Sequence, residues 1–277
     1  MKSNYAPVPT SGNDRSAGCC SRRACCIVSA IVVAVFTGLY FGICYYIAKT
    51  FVTLTSDDFS VYDGGKLINP ADGMIEHWGG YVGGCTSSKL LDAFTDFNKK
   101  HNSTLVKFLS RKAPDGQPEA EIVAWWLPAA RKGAPRVVVT HGYLDNFDGF
   151  SVQIVAYYLR SMGFSVLAPS LRSHGLSQNT SKYCTFGYAY PYDVLGAFDY
   201  AVTDPDGKLG GAMPYGKVGL VGFSMGGFVT ATAFGLEPRV PAAWIDSGLF
   251  SVEGGLAQGI VRKASAIVGD TVAGAIA

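Results

Sequence analysis

Gly222-Phe223-Ser224-Met225-Gly226 is the stretch on which the reading of this chain turns. It lies between the apolar run Val218 to Val221, which has the length and composition of a buried strand, and a helical pattern that begins after Ser224. A serine held on so tight a strand-to-helix turn has a strained backbone and projects its hydroxyl above the sheet. The positions two residues to either side must then be very small, and Gly222 and Gly226 meet that need. The helix that follows would bring its N-terminal amides and positive dipole end beside the hydroxyl.

Upstream, Leu105 to Leu109 and Glu121 to Leu127 flank a Pro114-Asp115-Gly116 turn signal, as the strands of a hairpin would. Arg136 to Thr140 is a β-branched run suited to a strand buried on both faces. Ser151 to Met162 carries Val152, Val155, Ala156 and Leu159 at helical spacing, with Gly163 where a C-terminal cap belongs. Phe164 to Ala168 reads as the next strand, and Pro191 opens a helix with Val194, Ala197, Phe198 and Ala201 on one face. A further strand falls near Pro241 to Ile245. Strands alternating with helices imply an α/β domain with a mostly parallel sheet and right-handed crossovers.

His141-Gly142-Tyr143 ends the run Val137 to Thr140. In a sheet of this kind that loop lies beside the turn at Ser224, so the backbone amides of Tyr143 and Met225 are the expected oxyanion donors. His141, and His174 in Arg172-Ser173-His174-Gly175-Leu176-Ser177, read as structural residues that hold loops by hydrogen bonds. His77 and His101 read as surface residues.

Together these motifs resemble the α/β-hydrolase superfamily, and within it the prolyl-oligopeptidase-like and serine-aminopeptidase-like branch with its related esterases. The resemblance rests on Trp125-Trp126-Leu127-Pro128, His141-Gly142, Arg172-x-His174-Gly175-x-Ser177, the glycine-serine turn followed by Gly227, and Asp246-Ser247. It covers roughly residues 104 to 250. It implies an α/β-hydrolase sheet flanked by helices and hydrolysis of an ester, amide or thioester through an acyl-enzyme on Ser224. The substrate would be a small molecule, lipid or peptide, and no cofactor or metal is implied.

In one respect the chain departs from the pattern. The family completes its triad in the order Ser, Asp or Glu, His, yet no histidine follows Ser224 in the sequence. Asp246 reads as part of a structural Asp-Ser pair rather than as the acid, and Leu249 to Ala277 as a glycine-interrupted amphipathic helix. The expectation is a serine hydrolase whose C-terminal strands are missing and which is inactive as given. The competing reading is a catalytically dead pseudo-hydrolase, tethered to a membrane as a binding or scaffold protein. An acyltransferase on the same scaffold would differ only in what attacks the acyl-enzyme.

No Asp, Glu, Lys or Arg occurs from Ala24 to Ala48. At about 1.5 Å per residue this run exceeds the ~30 Å hydrocarbon core of a bilayer, so it reads as a transmembrane signal-anchor. Lys2, Arg15, Arg22 and Arg23 precede it, and Lys49, Asp57, Asp58 and Asp63 follow. Basic residues before the span place the N-terminus in the cytosol and the domain in a lumen or outside the cell. The expected organisation is a cytosolic tail at 1–23, the anchor at 24–48, a linker and lead-in at 49–103 with a possible helix at Lys89 to Phe97, and the domain at 104–277. Cys19, Cys20, Cys25 and Cys26 then sit at the cytosolic boundary as palmitoylation candidates, with Cys44 in the span. Cys85 and Cys184, beyond it, are a candidate disulfide, and the sequons at Asn102 and Asn179 candidate glycosylation sites. A formal net charge of +2 over 277 residues, with no basic stripe, gives no case for nucleic acid.

Overall fold

The structure, a computed structural model, describes residues 22–53, 62–63, 66–67, 104–114, 116–147, 149–248, 251 and 254. Cys85, Asn102, His77, His101, the possible helix at 89–97 and nearly all of the segment 249–277 lie outside the described residues. The chain divides into two units, Met1–Thr50 and Phe51–Ala277.

The first unit is a helix, α1 (Arg22–Val52), that overruns the charge-free stretch by a few residues at each end. Its segment Ile27–Thr50, 24 residues long, is long and apolar enough to cross a membrane. Side chains such as Ile27, Phe36 and Tyr46 are exposed.

In the second unit a short pair, β1 (Tyr62–Asp63) and β2 (Lys66–Leu67), precedes the main sheet. Six strands build that sheet: β3 (Thr104–Leu109), β4 (Glu121–Leu127), β5 (Arg136–Thr140), β6 (Ser165–Pro169), β7 (Val218–Phe223) and β8 (Ala243–Asp246). Their order across the sheet is β3-β4-β6-β5-β7-β8. β3 and β4 form the expected antiparallel hairpin, and β4 also runs antiparallel to β6. From β6 through β5 and β7 to β8 every pairing is parallel. Helices α2 (Phe150–Ser161), α3 (Tyr190–Thr203) and α4 (Met225–Leu236) are the crossovers.

The two faces of the sheet have separate cores, and strand alternation divides the residues between them. Val137 and Val139 of β5 join Val166, Ala168, Trp125 and the predicted α2 face of Val152, Val155, Ala156 and Leu159. Val138 of β5 points the other way, to Leu167, Trp126, the predicted α3 face of Val194, Ala197, Phe198 and Ala201, and Val229 of α4. Each fully buried Leu or Val contributes roughly 1.5–3 kcal/mol relative to exposure. β8 pairs only with β7 among the described residues, and its Trp244 and Ile245 are 52% and 40% exposed.

Charge locks the ends of three elements. Arg111, just beyond β3, donates to both Asp199 carboxylate oxygens at 2.7 and 2.6 Å and pairs with Glu237 at 2.9 Å. Arg239 donates twice to Glu237, at 2.7 Å each. The hydrogen bonds from Arg239, opposed by burial and aided by Arg111, hold the Glu237 carboxyl down at about 2. A carboxyl whose pKa is depressed on folding stabilises the fold above its unfolded value near 4.5 and loses that contribution as pH falls through 2. Glu237→Gln is therefore expected to flatten the acid limb of the stability curve between pH 4.5 and 2 by about 1–2 kcal/mol. Urea midpoints of both forms, measured across that range, check it; parallel acid limbs would refute the assignment.

Candidate active site

β7 runs up to Phe223, two residues further than its apolar run suggests, and delivers Ser224 directly into α4. Ser224 has φ 51 and ψ −118, a conformation that L-residues avoid. A hydrogen bond from its N–H to Asp246 O (2.9 Å) and one from Phe228 N–H to its carbonyl (3.2 Å) fix the turn. Serine at a helix N-terminus usually caps the helix with its hydroxyl. Ser224 makes no side-chain cap hydrogen bond, and it is exposed.

The flanking glycines are required by contact. A β-carbon at Gly222 would overlap Gly226 O and Thr230 Oγ1, and one at Gly226 would overlap His141 O and lie 2.7 Å from Thr140 O. Gly226 thus sits directly against the end of β5. A β-carbon at Gly142 would stand 3.5 Å from Ser224 Cβ, so the 142–143 loop lies beside the serine, as the sequence implies. Met225 opens α4, and its N–H is among the first four of the helix, which have no intrahelical acceptor.

His141 is fully buried and tied at both ring nitrogens. Leu171 N–H donates to Nε2 at 3.0 Å, so Nδ1 carries the proton and donates to Gly142 O at 2.8 Å. Burial pushes its pKa well below 6.5, the neighbouring His174 adds to this, and the ring stays neutral. His174 donates Nδ1–H to Arg172 O at 2.9 Å, meets Tyr190 edge to face at 5.4 Å, and is lowered by burial to about 4. Both histidines stitch the loops after β5 and β6 together, which is the structural role that the sequence assigns them.

The rest of the Arg172 motif serves the same loops. Arg172 makes a buried ion pair with Asp193 in the first turn of α3, at 2.7 Å, and its own backbone N–H donates to Asp193 Oδ2 at 2.9 Å. Burial raises the Asp193 carboxyl to about 6 against the pull of Arg172. Ser177 Oγ donates to Ser170 O at 2.6 Å and accepts from Val123 N–H at 2.8 Å. Nothing local in the sequence pairs Arg172 with Asp193, 21 residues away; an acid in the first turn of a helix has a dipole reason to be there in any case.

Cys184 is buried, unbridged among the described residues, with its Sγ 3.6 Å from Met225 Sδ. Cys85, its expected disulfide partner, is outside the described residues. Asn179 is exposed on the loop after β6. Asp246 lies at the end of β8, where its carboxylate accepts from Ser247 Oγ at 2.7 Å.

Residues 135–267 match a family model described as alpha/beta hydrolase fold. With the strand order and the serine turn, this gives the domain the α/β-hydrolase fold. Among solved structures, the chain is similar to an esterase of Pyrococcus furiosus, with 22% identity over 60% of this chain and 58% of that one and a TM-score of 0.49. It is similar also to an alpha/beta hydrolase from Penicillium sp. sh18, with 18% identity over 59% of this chain and 52% of that one and a TM-score of 0.46. The chain therefore spans less than two thirds of the length of either. No curated protein sequence matches it.

Proposed function

We propose that the protein is a membrane-anchored serine hydrolase that cleaves an ester, amide or thioester through an acyl-enzyme on Ser224. The observation that carries this reading is the state of Ser224: exposed, strained at φ 51, and with a hydroxyl that does not cap the helix it begins. A serine retained only as a cap would make that hydrogen bond and would sit in extended backbone.

In this reading Ser224 Oγ attacks the carbonyl carbon, and the N–H groups of Tyr143 and Met225 hold the oxyanion, each contributing about 3 kcal/mol. Collapse of the tetrahedral intermediate expels the alcohol, amine or thiol, and water then releases the acid from Ser224. The proton leaving Oγ needs a general base. His141 has both nitrogens occupied, and His174, lowered to about 4, donates Nδ1–H to Arg172 O and is buried, 1% exposed. The base is therefore expected from outside the described residues. Without a base, binding and an oxyanion hole alone supply only ~10³ to 10⁴-fold over water. Rapid mixing with excess 4-nitrophenyl acetate tests the acyl-enzyme in the protein as its own gene produces it. A nitrophenol burst with an acetyl group mapped to Ser224 is expected; acetyl on another residue would overturn the reading.

The anchor is α1, with the N-terminus cytosolic and the domain lumenal or extracellular, on the strength of Lys2, Arg15, Arg22 and Arg23 before the span. Expression in microsomes is expected to add a glycan at exposed Asn179 that is lost in Asn179→Gln. A protein cleaved by external protease and carrying no glycan would reverse the topology.

A further inference from the structure

The segment between Cys184 and Gly187, in the connection from β6 to α3, is packed against both sides of the serine turn. Cys184 touches Met225 through sulfur at 3.6 Å. Phe186 stacks on Tyr143, with ring centroids 5.6 Å apart and planes 13° from parallel. A β-carbon at Gly187 would overlap the Phe228 ring, 2.9 Å from its Cζ, so only glycine lets this backbone pass so close. Phe228 is itself one turn beyond Ser224, bonded through its N–H to the Ser224 carbonyl. Tyr143 and Phe186 thus stack, and the Phe228 ring lies against the backbone of the residue that follows Phe186.

The arrangement is held under strain. Phe186 has φ 46, the left-handed region that bulky residues seldom enter, and such conformations persist where the surroundings over-determine them, often at ligand sites. Tyr143, Phe186 and Phe228 are only partly buried, although each packs on the core beneath. Apolar walls with a few convergent polar groups are what small-molecule sites are made of. Here the polar groups would be the hydroxyl of Ser224 and the amides of Tyr143 and Met225.

We infer that Tyr143, Phe186 and Phe228 form a wall that receives an apolar acyl chain of the substrate, which makes Phe186 a specificity-determining residue. The inference rests on the reading of Ser224 as nucleophile. The wall is attached to both segments that would hold the oxyanion, and the group fixed to the carbonyl carbon is the acyl group. That group stays in place when the alcohol departs, so a wall anchored there contacts it in both half-reactions.

The test has a kinetic and a binding arm. In the protein as its gene produces it, the ratio of kcat/KM for 4-nitrophenyl octanoate to that for 4-nitrophenyl acetate is expected to fall at least tenfold in Phe186→Ala, chiefly through the KM of the octanoate. One methylene in an apolar pocket is commonly worth tenfold or more, so this is a modest demand. In the binding arm, methyl octanoate is titrated calorimetrically into Ser224→Ala and into Ser224→Ala with Phe186→Ala, the second expected to bind at least fivefold more weakly. Phe228→Leu repeats both arms should Phe186→Ala fail to fold. Binding that depends on Phe186 in a protein whose serine never acylates would uphold the wall and sink the nucleophile. Acylation of Ser224 with an unchanged octanoate-to-acetate ratio and unchanged binding in both variants would sink the wall alone, as would a preference shift confined to the alcohol portion of the ester.

Discussion

Ser224→Ala is expected to lower ester turnover by about 10⁴ to 10⁶-fold in the protein made by its own gene. Removing the nucleophile of a comparable serine hydrolase costs about that much, because the remaining groups cannot form the acyl-enzyme. The fold should not change. Ser224 is exposed and its hydroxyl does not cap α4, so its deletion leaves no buried group unpaired. Initial rates at matched concentration, with a thermal melt of each form as control, separate the two effects. A variant that melts alike and turns over within tenfold of the parent would show that Ser224 is not the nucleophile.

The second large effect is on stability. Gly226→Ala is expected to destabilise the domain by about 3 kcal/mol or more, a large share of a typical total of 5–15 kcal/mol. The added methyl meets the backbone carbonyls of Thr140 and His141 at the end of β5, which cannot rotate away as a side chain would. Relief requires α4 to shift from the strand that it packs on, taking the turn at Ser224 with it. Gly235, in the last turn of the same helix, is the internal control. Nothing lies within 4 Å of a β-carbon there, so Gly235→Ala is expected to stabilise by about 0.5–1 kcal/mol through helix propensity. Denaturant midpoints give both values, and a neutral Gly226→Ala would contradict the contact geometry.

Much of the fold was legible because the relevant signals are local. The face of Val152, Val155, Ala156 and Leu159 follows from a period of 3.6, and Val137 to Val139 from a β-branched run; each is buried where its pattern implies. The tight turn at Ser224 was legible because its steric demand falls on two neighbours, Gly222 and Gly226, at fixed spacing.

Contacts between distant segments were not legible. The strand order that places β6 between β4 and β5 depends on the crossovers, which leave no periodic trace in the sequence. The same holds for Arg111 with Asp199 and Glu237, 88 or more residues apart, and for Arg172 with Asp193. Phe186 carries no turn signature at all. Its left-handed backbone follows from the stack on Tyr143 and the close pass of Gly187 over Phe228, three-body packing that a linear reading does not contain.

The turn at 222–226 is expected to hold a serine poised to react. Treating the protein made by its own gene with a fluorophosphonate probe and mapping the adduct by peptide mass spectrometry tests it most directly. A single phosphonylated residue, Ser224, is expected, with labelling abolished in Ser224→Ala; labelling elsewhere, or labelling that survives that substitution, would show that Ser224 is not the reactive serine.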